Sequence, residues 1–373
     1  MKILVVNTIY GTGSTGRIAA RLAREEAAGS EIAFAYGRAD YVPKALRGEA
    51  WRIGTRLGIS LHGLLTRLFD LHGTGLCSWW ATKRFLRRAE RFEPDILWLH
   101  NLHGYYLNYE LLFKWIKSRP QMKVKWMLHD CWAFTGHCSH YTSTGCMQYK
   151  SDCARCPQRG DYPASKLFSR SRQNLAAKKR AFLGCPNLTL VISSKWLAKQ
   201  VEGGFLGGQY PVEMRPYELN RDVFKPTPSD VRRRLGLMGE KMVLCVASQW
   251  DDKKGLPDVL ALARLVDSNW RIVLVGLEPR QLSGLPANVI GIVRTHDQRE
   301  LAELYSAADW FFNPTHEDIY SMTNMEAAGC GCRIVTYDTG GAPEAVEGYD
   351  KAIVLSEHSA QKAWDAMSAV EQV

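Results

Sequence analysis

The chain's 373 residues and 42.1 kDa suit two domains, and a composition of 46% hydrophobic and 23% charged residues excludes wholesale disorder. Its net charge of +10 is uneven, because residues 1–190 carry 29 Lys and Arg against 13 Asp and Glu, whereas the remainder carries 19 against 25. No apolar run approaches the roughly 18 residues of a membrane span, and Met1–Tyr10 reads as a first strand rather than a signal peptide. We therefore expect a cytoplasmic protein.

The first predicted strand, Ile3–Asn7, runs into a glycine-rich turn at residues 11–17 and then into a helix. Glycines let backbone N–H groups approach a ligand closely, and a helix N-terminus favours an anion. The turn lacks the Gly-Lys-Ser/Thr sequence of a Walker A loop. An anion-binding floor and a purely structural strand–helix turn remain equal alternatives.

The excess of positive charge is concentrated between Arg47 and Arg91, where Arg and Lys alternate with Trp, Leu and Phe side chains. Such a mixture suits a surface that contacts an anionic membrane, although amphipathic helices with solvated faces explain it equally well. Nucleic acid is not expected as a partner, because no helix-turn-helix, zinc-finger or RNA-binding signature is present.

Polar clusters end two neighbouring predicted strands, Asp95–His100 and Lys123–His129. Polar side chains at the carboxyl ends of adjacent parallel strands point into the ligand crevice of doubly wound folds. A histidine at a strand end is more often a structural residue, so the pairing of two clusters carries the functional interpretation. The candidate residues are His100, Asn101, His103, His129 and Asp130.

A cysteine cluster follows, with the spacing Cys-x7-Cys-x6-Cys-x2-Cys and with His137 and His140 nearby. Its members are Cys138, Cys146, Cys153 and Cys156. In a cytosolic protein, clustered thiols favour a metal site over disulfides, and four thiolates suit a tetrahedral structural zinc ion. Free cysteines that only pack are an equal alternative.

The whole chain alternates apolar strands with helical stretches, which predicts two doubly wound α/β domains with parallel sheets. The remaining predicted strands are Glu31–Tyr36, Leu188–Ser193, Met242–Ala247, Arg271–Val275, Val289–Val293, Trp310–Asn313 and Arg333–Tyr337. The segment Pro211–Ser229 is rich in Pro and turn residues, so we place the domains at residues 1–215 and 216–373.

Residues 309–335 carry the most functional information. A short buried strand leads into an acidic loop, His316–Asp318, and then into a helix whose first turn holds Met322–Glu326. Backbone N–H groups at a helix start favour phosphates, and carboxylates accept hydrogen bonds from sugar hydroxyls. The pattern predicts a nucleotide-sugar pocket. Lys253 and Lys254 would offset the diphosphate charge. The alternative, for the acidic loop and for the two lysines, is that these are ordinary solvated loop charges.

These motifs resemble the retaining glycosyltransferases of family 4, which have the GT-B fold, in which two Rossmann-like domains face a central cleft. The family signature is an acid, seven residues and a second acid. Glu326 matches the second acid, and Asp318 stands at the spacing of the first, beside Glu317. The histidine clusters resemble the subgroup that builds colanic acid, capsules and O-antigen. Gln249 departs from the pattern by replacing an expected Arg.

The resemblance implies a role for each matched residue. Glu326 would hold the nucleotide ribose, and Asp318 or Glu317 the transferred sugar. Lys254 would stabilise the departing diphosphate, and His129 would lie beside the sugar. Further donor contacts are implied for Gly13, Ser14, Gly16, Lys253, Thr323, Asn324 and Met325. Acceptor contacts are assigned to His100, Asn101, His103 and Asp130.

The implied activity is transfer of a sugar from a UDP- or GDP-linked donor to a lipid-linked saccharide in bacterial surface polysaccharide synthesis, at the inner face of the cytoplasmic membrane. The fold's chemistry implies no catalytic metal. The alternatives are a nucleotide-sugar epimerase or hydrolase of the same fold, and a catalytically weak scaffold subunit of a polysaccharide assembly complex.

Overall fold

The computed structural model describes residues 1–26, 29–38, 42 and 49–371. It divides into two compact units, Met1–Arg215 and Pro216–Val373, which we call domain 1 and domain 2. The predicted basic stretch begins at Arg47, which lies outside the described residues. Within the described residues, no helix combines the length and the apolar composition that crossing a bilayer requires.

Domain 1 is built on a parallel sheet whose seven described strands run in the order β3-β2-β1-β4-β5-β6-β7. The strands are β1 (Lys2–Asn7), β2 (Glu31–Tyr36), β3 (Ala50–Arg52), β4 (Ile96–Leu99), β5 (Lys123–Leu128), β6 (Leu188–Ile192) and β7 (Val212–Met214). The central strands read as continuous apolar runs because helices cover both faces of the sheet. The helices are α1 (Gly13–Glu26), α2 (Arg56–Phe69), α3 (Trp79–Phe92), α4 (Tyr109–Lys117), α5 (Ser171–Phe182) and α6 (Lys195–Glu202).

Domain 2 is built on a parallel sheet whose six described strands run in the order β10-β9-β8-β11-β12-β13. The strands are β8 (Lys241–Val246), β9 (Trp270–Val275), β10 (Val289–Ile292), β11 (Trp310–Asn313), β12 (Arg333–Tyr337) and β13 (Ala352–Leu355). The helices are α7 (Val231–Arg234), α8 (Leu256–Leu265), α9 (Gln298–Ala307), α10 (Met322–Gly329) and α11 (Ala360–Glu371).

Successive side chains of the domain 2 strands enter two separate cores. Val243 and Cys245 of β8 pack with α8 and α11 in one core, whereas Met242 and Leu244 pack with α9 in the other. This alternation is what a sheet covered on both faces requires. The prediction of two α/β domains with parallel sheets is confirmed.

Three strands were not predicted from the sequence, namely β3, β7 and β13. Each lies at an edge of its sheet. β3 and β7 have only three residues, each with a charged one among them, whereas β13 is a short apolar run that the prediction missed. β7 falls within the segment interpreted as an interdomain linker. The ten predicted strands all appear, with ends that differ by no more than one residue.

Candidate active site

In domain 2, the β11–α10 loop connects the acidic residues to a capped helix. Ser321 is the N-cap of α10, and its hydroxyl accepts a hydrogen bond from the Asn324 N–H at 3.3 Å. The N–H of Met325 donates to the Ser321 carbonyl at 3.3 Å. The N–H groups of Asn324 and Met325, which the sequence assigned to the sugar donor, are therefore already hydrogen-bonded to the helix cap. The N–H groups of the first helical positions, including that of Thr323, are the ones a helix cannot satisfy internally.

The side chain of Asn324 is fully buried and holds three elements together. Its amide group donates to Thr336 Oγ1 at 3.3 Å and to the Ala342 carbonyl at 3.1 Å, and its oxygen accepts from Asn313 Nδ2 at 2.8 Å. These bonds fix the start of α10 against β11 and β12. The side chain of Asn324 thus positions the helix terminus.

Glu326 lies on the same helix and is buried, and its carboxylate accepts a hydrogen bond from the Tyr305 hydroxyl at 3.2 Å. Burial and the adjacent Glu326 carboxylate both raise the pKa of Tyr305 well above its usual value, so the phenol remains a donor. Tyr305 fixes the orientation of the carboxylate. Sequence analysis missed it, because it belongs to the apolar face of α9 and no local pattern marks it.

Two lysines pair with the two acids of the loop. Lys254 Nζ lies 3.5 Å from Asp318 Oδ2 and donates to the Glu317 carbonyl at 3.0 Å. Lys253 Nζ lies 3.2 Å from Glu317 Oε2. The lysines are placed by a 3₁₀ turn after β8, in which Asp251 Oδ1 accepts from the Lys254 N–H at 2.9 Å. The two predicted lysines and the two predicted acids therefore lie together at the carboxyl end of the domain 2 sheet.

The loop is also held by the turn after β12. Gly341 N–H donates to the Asp318 carbonyl at 3.2 Å. Gly340 has a φ of +58°, and a Cβ there would lie 1.9 Å from the Asp318 carbonyl oxygen. Glycine is needed at position 340 both for the left-handed backbone and for this close approach. The glycines fix the backbone of an acid that the sequence assigns to the donor sugar.

A second polar network near this loop was not predicted. His316 Nε2 lies 2.9 Å from Asp258 Oδ2, and the Tyr337 hydroxyl donates to Asp258 Oδ1 at 2.8 Å. The hydrogen bond that His316 donates to Asp258 raises the pKa of His316, against the opposing effect of burial. His358 Nδ1 lies 3.1 Å from His316 Nδ1. Asp258 and His358 are 100 residues apart in the sequence, so no local pattern connects them.

In domain 1, Asn7 joins the glycine turn to the end of β4. Its side-chain oxygen accepts from the N–H groups of Thr8 and Asn101 at 2.9 and 3.2 Å. Thr8 Oγ1 in turn donates to the carbonyls of Asn101 and His103. Helix α1 begins at Gly13, which has a φ of +63°. The predicted residues of the turn, Gly13, Ser14 and Gly16, therefore start the helix that follows this bonded edge.

The two histidine clusters meet at the same edge. His100 Nδ1 lies 2.8 Å from His129 Nε2, and the rings are stacked with centroids 5.1 Å apart. His103 Nε2 lies 2.7 Å from Asp130 Oδ2, and its other nitrogen contacts the hydroxyl of Tyr162 at 3.1 Å. The structure thus brings His129, predicted to lie beside the sugar, together with the four predicted acceptor-side residues. Tyr162 was not predicted, since it lies in an irregular segment.

Burial keeps the imidazoles of His100 and His129 neutral at physiological pH. Burial lowers the pKa of His129 to about 4, although Asp130 opposes the shift, and burial also lowers the pKa of His100. Burial alone would raise the pKa of Asp130, but His103 and the Trp132 amide outweigh it and lower that pKa to about 2. The edge therefore offers neutral imidazoles beside one carboxylate.

Residues 240–372 match the protein family described as Glycosyl transferases group 1. The match lies within domain 2. Over 101 residues, the chain is also 34% identical to a putative colanic acid biosynthesis glycosyl transferase, WcaC, from Escherichia coli (strain K12). That match covers 25% of this chain and 24% of the relative. The chain spans between a quarter and half of the length of the curated relatives that it matches.

Solved structures share the fold of the whole chain. Sucrose-phosphate synthase from Thermosynechococcus elongatus superposes with a TM-score of 0.70 at 15% identity, covering 100% of this chain and 90% of that chain. HepE from Anabaena, in complex with UDP-glucose, superposes with a TM-score of 0.64 at 14% identity, covering 99% and 89%. Likeness at these identities shows the fold alone. The predicted GT-B fold is confirmed.

The four predicted zinc ligands lie in domain 1. Their side chains line one small cavity together with His137. Among the described residues, the one group of three or more His, Cys, Asp and Glu side chains whose candidate ligand atoms all lie within 4.8 Å of one another is Asp70, His72 and His137. The thiols share a cavity but are not gathered at the spacing of metal ligands, so their role stays a prediction.

Proposed function

We propose that the protein is a retaining family 4 glycosyltransferase that moves a sugar from a nucleotide-diphosphate donor to a lipid-linked saccharide in bacterial surface polysaccharide synthesis. The observation that carries the proposal is the β11–α10 loop. Its two acids pair with two lysines of the turn after β8, and it leads into a helix that bears a buried carboxylate, Glu326. The family of domain 2 supports a transferase. UDP is the first nucleotide to test, because HepE, which shares the fold, was solved with UDP-glucose.

The donor would be held through its ribose and its diphosphate. The Glu326 carboxylate, oriented by Tyr305, would accept hydrogen bonds from the ribose hydroxyls. The first N–H groups of α10, including that of Thr323, would face the diphosphate, since the helix leaves them without internal acceptors. In domain 1, the backbone N–H groups at Gly13, Ser14 and Gly16 would offer hydrogen bonds to an anion.

The structure favours Asp318 over Glu317 as the contact for the transferred sugar. The Glu317 side chain is only 5% exposed and is paired with Lys253, so it is committed to the loop itself. The Asp318 side chain is 20% exposed, and its contact with Lys254 is longer, at 3.5 Å. A sugar hydroxyl can therefore reach Asp318 more readily.

Lys254 would stabilise the departing diphosphate, because a fixed cation at a developing charge contributes strongly to a transition state. In a front-face reaction, the bond from the sugar C1 to the phosphate oxygen breaks while the acceptor oxygen bonds to C1 on the same face. The acceptor proton passes to the leaving phosphate. His129 would line the reaction face as a neutral imidazole. Trapping of a glycosyl-enzyme intermediate on any carboxylate would contradict this mechanism.

The acceptor would be presented at the inner face of the cytoplasmic membrane by α2 and α3. Leu57, Leu76 and Trp80 on and between these helices are 80%, 86% and 75% exposed. Arg84 and Arg88 of α3 lie beside the groove that these helices line. Exposed apolar side chains among arginines suit contact with anionic lipid. Trp51, predicted as part of this surface, is instead buried against Phe92.

The test is a thermal-shift panel with UDP, GDP and their sugar conjugates, on the wild type and on Glu326→Ala. A nucleotide at about 100 times its Kd stabilises the protein by roughly 2.7 kcal/mol. We expect one nucleotide to raise the melting temperature of the wild type and not that of Glu326→Ala. Tyr305→Phe is the matched control, because it removes the hydrogen bond but keeps the carboxylate, and it should retain a measurable shift.

The outcomes also separate the alternatives. Nucleotide binding with turnover in the absence of any saccharide acceptor would favour an epimerase or a hydrolase. The absence of a shift with every nucleotide would contradict the transferase proposal and favour a scaffold. The replacement of an expected Arg by Gln249, whose amide contacts Glu278 at 3.3 Å, is the observation that keeps the scaffold in view.

A further inference from the structure

The segment after His129 and Asp130 folds over a cavity lined by thiols. Cys138, Cys146, Cys153 and Cys156 all contribute to its wall. The Cys138 and Cys156 thiols are in hydrogen-bond contact. Cys153 Sγ accepts a hydrogen bond from the Gly136 N–H at 3.3 Å.

His137 also lines this cavity, and it provides a second indication that the cavity binds a ligand. It is 1% exposed, and its Nδ1 lies 2.9 Å from Asp70 Oδ1. Because a carboxylate only accepts hydrogen bonds, Nδ1 carries the proton and Nε2 carries a lone pair. Among the described residues, Nε2 of His137 has no hydrogen-bond partner although it is buried. A buried and unpaired acceptor is costly, so this lone pair needs an explanation.

Asp70 itself is a support for the imidazoles rather than a metal ligand. Its Oδ1 accepts from both His72 Nε2, at 2.6 Å, and His137 Nδ1, at 2.9 Å. Two nitrogen or oxygen ligands on tetrahedral zinc lie roughly 3.3 Å apart, since each is about 2.0–2.1 Å from the metal. Atoms at 2.6 and 2.9 Å are therefore joined by hydrogen bonds. A carboxylate that fixes the tautomer of a ligating histidine is the usual outer support of a zinc site.

We propose that domain 1 binds one structural zinc ion through the thiolates of Cys138, Cys153 and Cys156 and through Nε2 of His137, with Asp70 orienting the imidazole. Cys138 directly follows His137 in the chain, and its thiol contacts that of Cys156. Cys153 Sγ is bonded to the N–H of Gly136, which directly precedes His137. Cys146, which the sequence places in the cluster, is left outside the ligand set.

Binding would draw the sulfur atoms together from their present spacing. Three thiols would each lose a proton, and the zinc ion would form three bonds to sulfur and one to nitrogen. The metal would then fasten residues 137–156 beneath the edge that carries His129 and Asp130. Zinc thus stabilises the loop on the proposed acceptor side and takes no part in the transfer. The proposal stands whether or not the protein is a glycosyltransferase.

The first measurement is the metal content of the purified full chain by mass spectrometry. We expect one zinc per chain in the wild type. Cys138→Ser, Cys153→Ser and Cys156→Ser should each lower the content to well under half. Cys146→Ser should keep the metal, and so should Cys185→Ser, a control that removes another buried thiol of domain 1. A wild type without zinc, or a mass that shows disulfides among these four cysteines, would overturn the proposal.

The ligand set is read from X-ray absorption of the zinc-loaded wild type, which does not depend on any variant folding. Three sulfur neighbours at about 2.3 Å and one nitrogen at about 2.0 Å are expected. Four sulfur neighbours would exclude His137. Asp70→Asn tests the positioning role, since Asn tolerates the left-handed backbone at this residue, where φ is 55°. Chelator competition should show about 10- to 100-fold weaker zinc binding, and an unchanged affinity would rule out that role.

Discussion

The two domains place polar side chains at the same end of a parallel sheet, but they control charge in opposite ways. In domain 2, the acids Glu317 and Asp318 are paired with lysines that a diphosphate could compete for. In domain 1, burial keeps the imidazole of His129 neutral. Under the proposed function, we expect a division of work in which domain 2 binds the charged donor and domain 1 contacts the uncharged hydroxyls of sugars.

The largest expected effect comes from removing the ammonium group of Lys254 in domain 2. Lys254→Met should lower turnover by about 10²- to 10³-fold, the usual effect of removing one group that stabilises a developing negative charge. The release of nucleoside diphosphate from the donor found by thermal shift measures this effect. Lys253→Met is the matched control and should cost less, because the Lys253 ammonium is bound to a nearly inaccessible carboxylate. Equal losses in the two variants would contradict the assignment.

The corresponding change in domain 1 should affect turnover and not donor binding. His129→Gln keeps a neutral hydrogen-bonding side chain but alters its geometry, and we expect a loss of about 100-fold in kcat, the scale of a small misplacement of reacting groups. The thermal shift with the nucleotide should remain that of the wild type. A lost shift would mean that His129 supports the donor site, and the proposed division between the domains would be wrong.

A third variant tests the backbone that holds Asp318. Gly340→Ala places a methyl group 1.9 Å from the Asp318 carbonyl oxygen, whereas Gly348→Ala, also at positive φ, meets nothing within 4 Å. Both changes should cost roughly 1–2 kcal/mol for the left-handed backbone. The clash at residue 340 should add about 1–3 kcal/mol, measured from urea midpoints. Equal midpoints for the two variants would show that the loop at Asp318 moves to accept the methyl group without loss of stability.

The elements of the fold and of the candidate site differ in how far the sequence could predict them. The central strands were predictable because continuous apolar runs report burial on both faces, and the histidine clusters followed because they end such runs. Tyr305 and Asp258 were not predictable, since each reaches the candidate site from a helix whose pattern reports only the core. Trp51 was wrongly predicted to lie on the surface, because a local mixture of Arg and apolar residues does not show which side chains are buried.

The smallest expected effect is a difference in pH dependence between the domains. The pKa of His129 is lowered to about 4, so the unfolded chain binds a proton that the folded chain does not when the pH lies between 6.5 and 4. This histidine therefore destabilises the fold as the pH falls through that range. The pKa of His316 is raised, chiefly by its hydrogen bond to Asp258. Its contribution is fully present below the unfolded pKa and is lost as the pH rises through the folded pKa.

His129→Gln and His316→Gln should therefore show opposite trends between about pH 8 and about pH 5.5. The cost of His316→Gln in free energy of unfolding should grow on acidification, because the charged pair with Asp258 is then fully formed. The cost of His129→Gln should shrink, because the variant no longer excludes a proton. Histidine NMR titration of the wild type, assigned with the same two variants, provides the independent check. Two signals that titrate together near the ordinary value would show that burial does not separate the domains in this way.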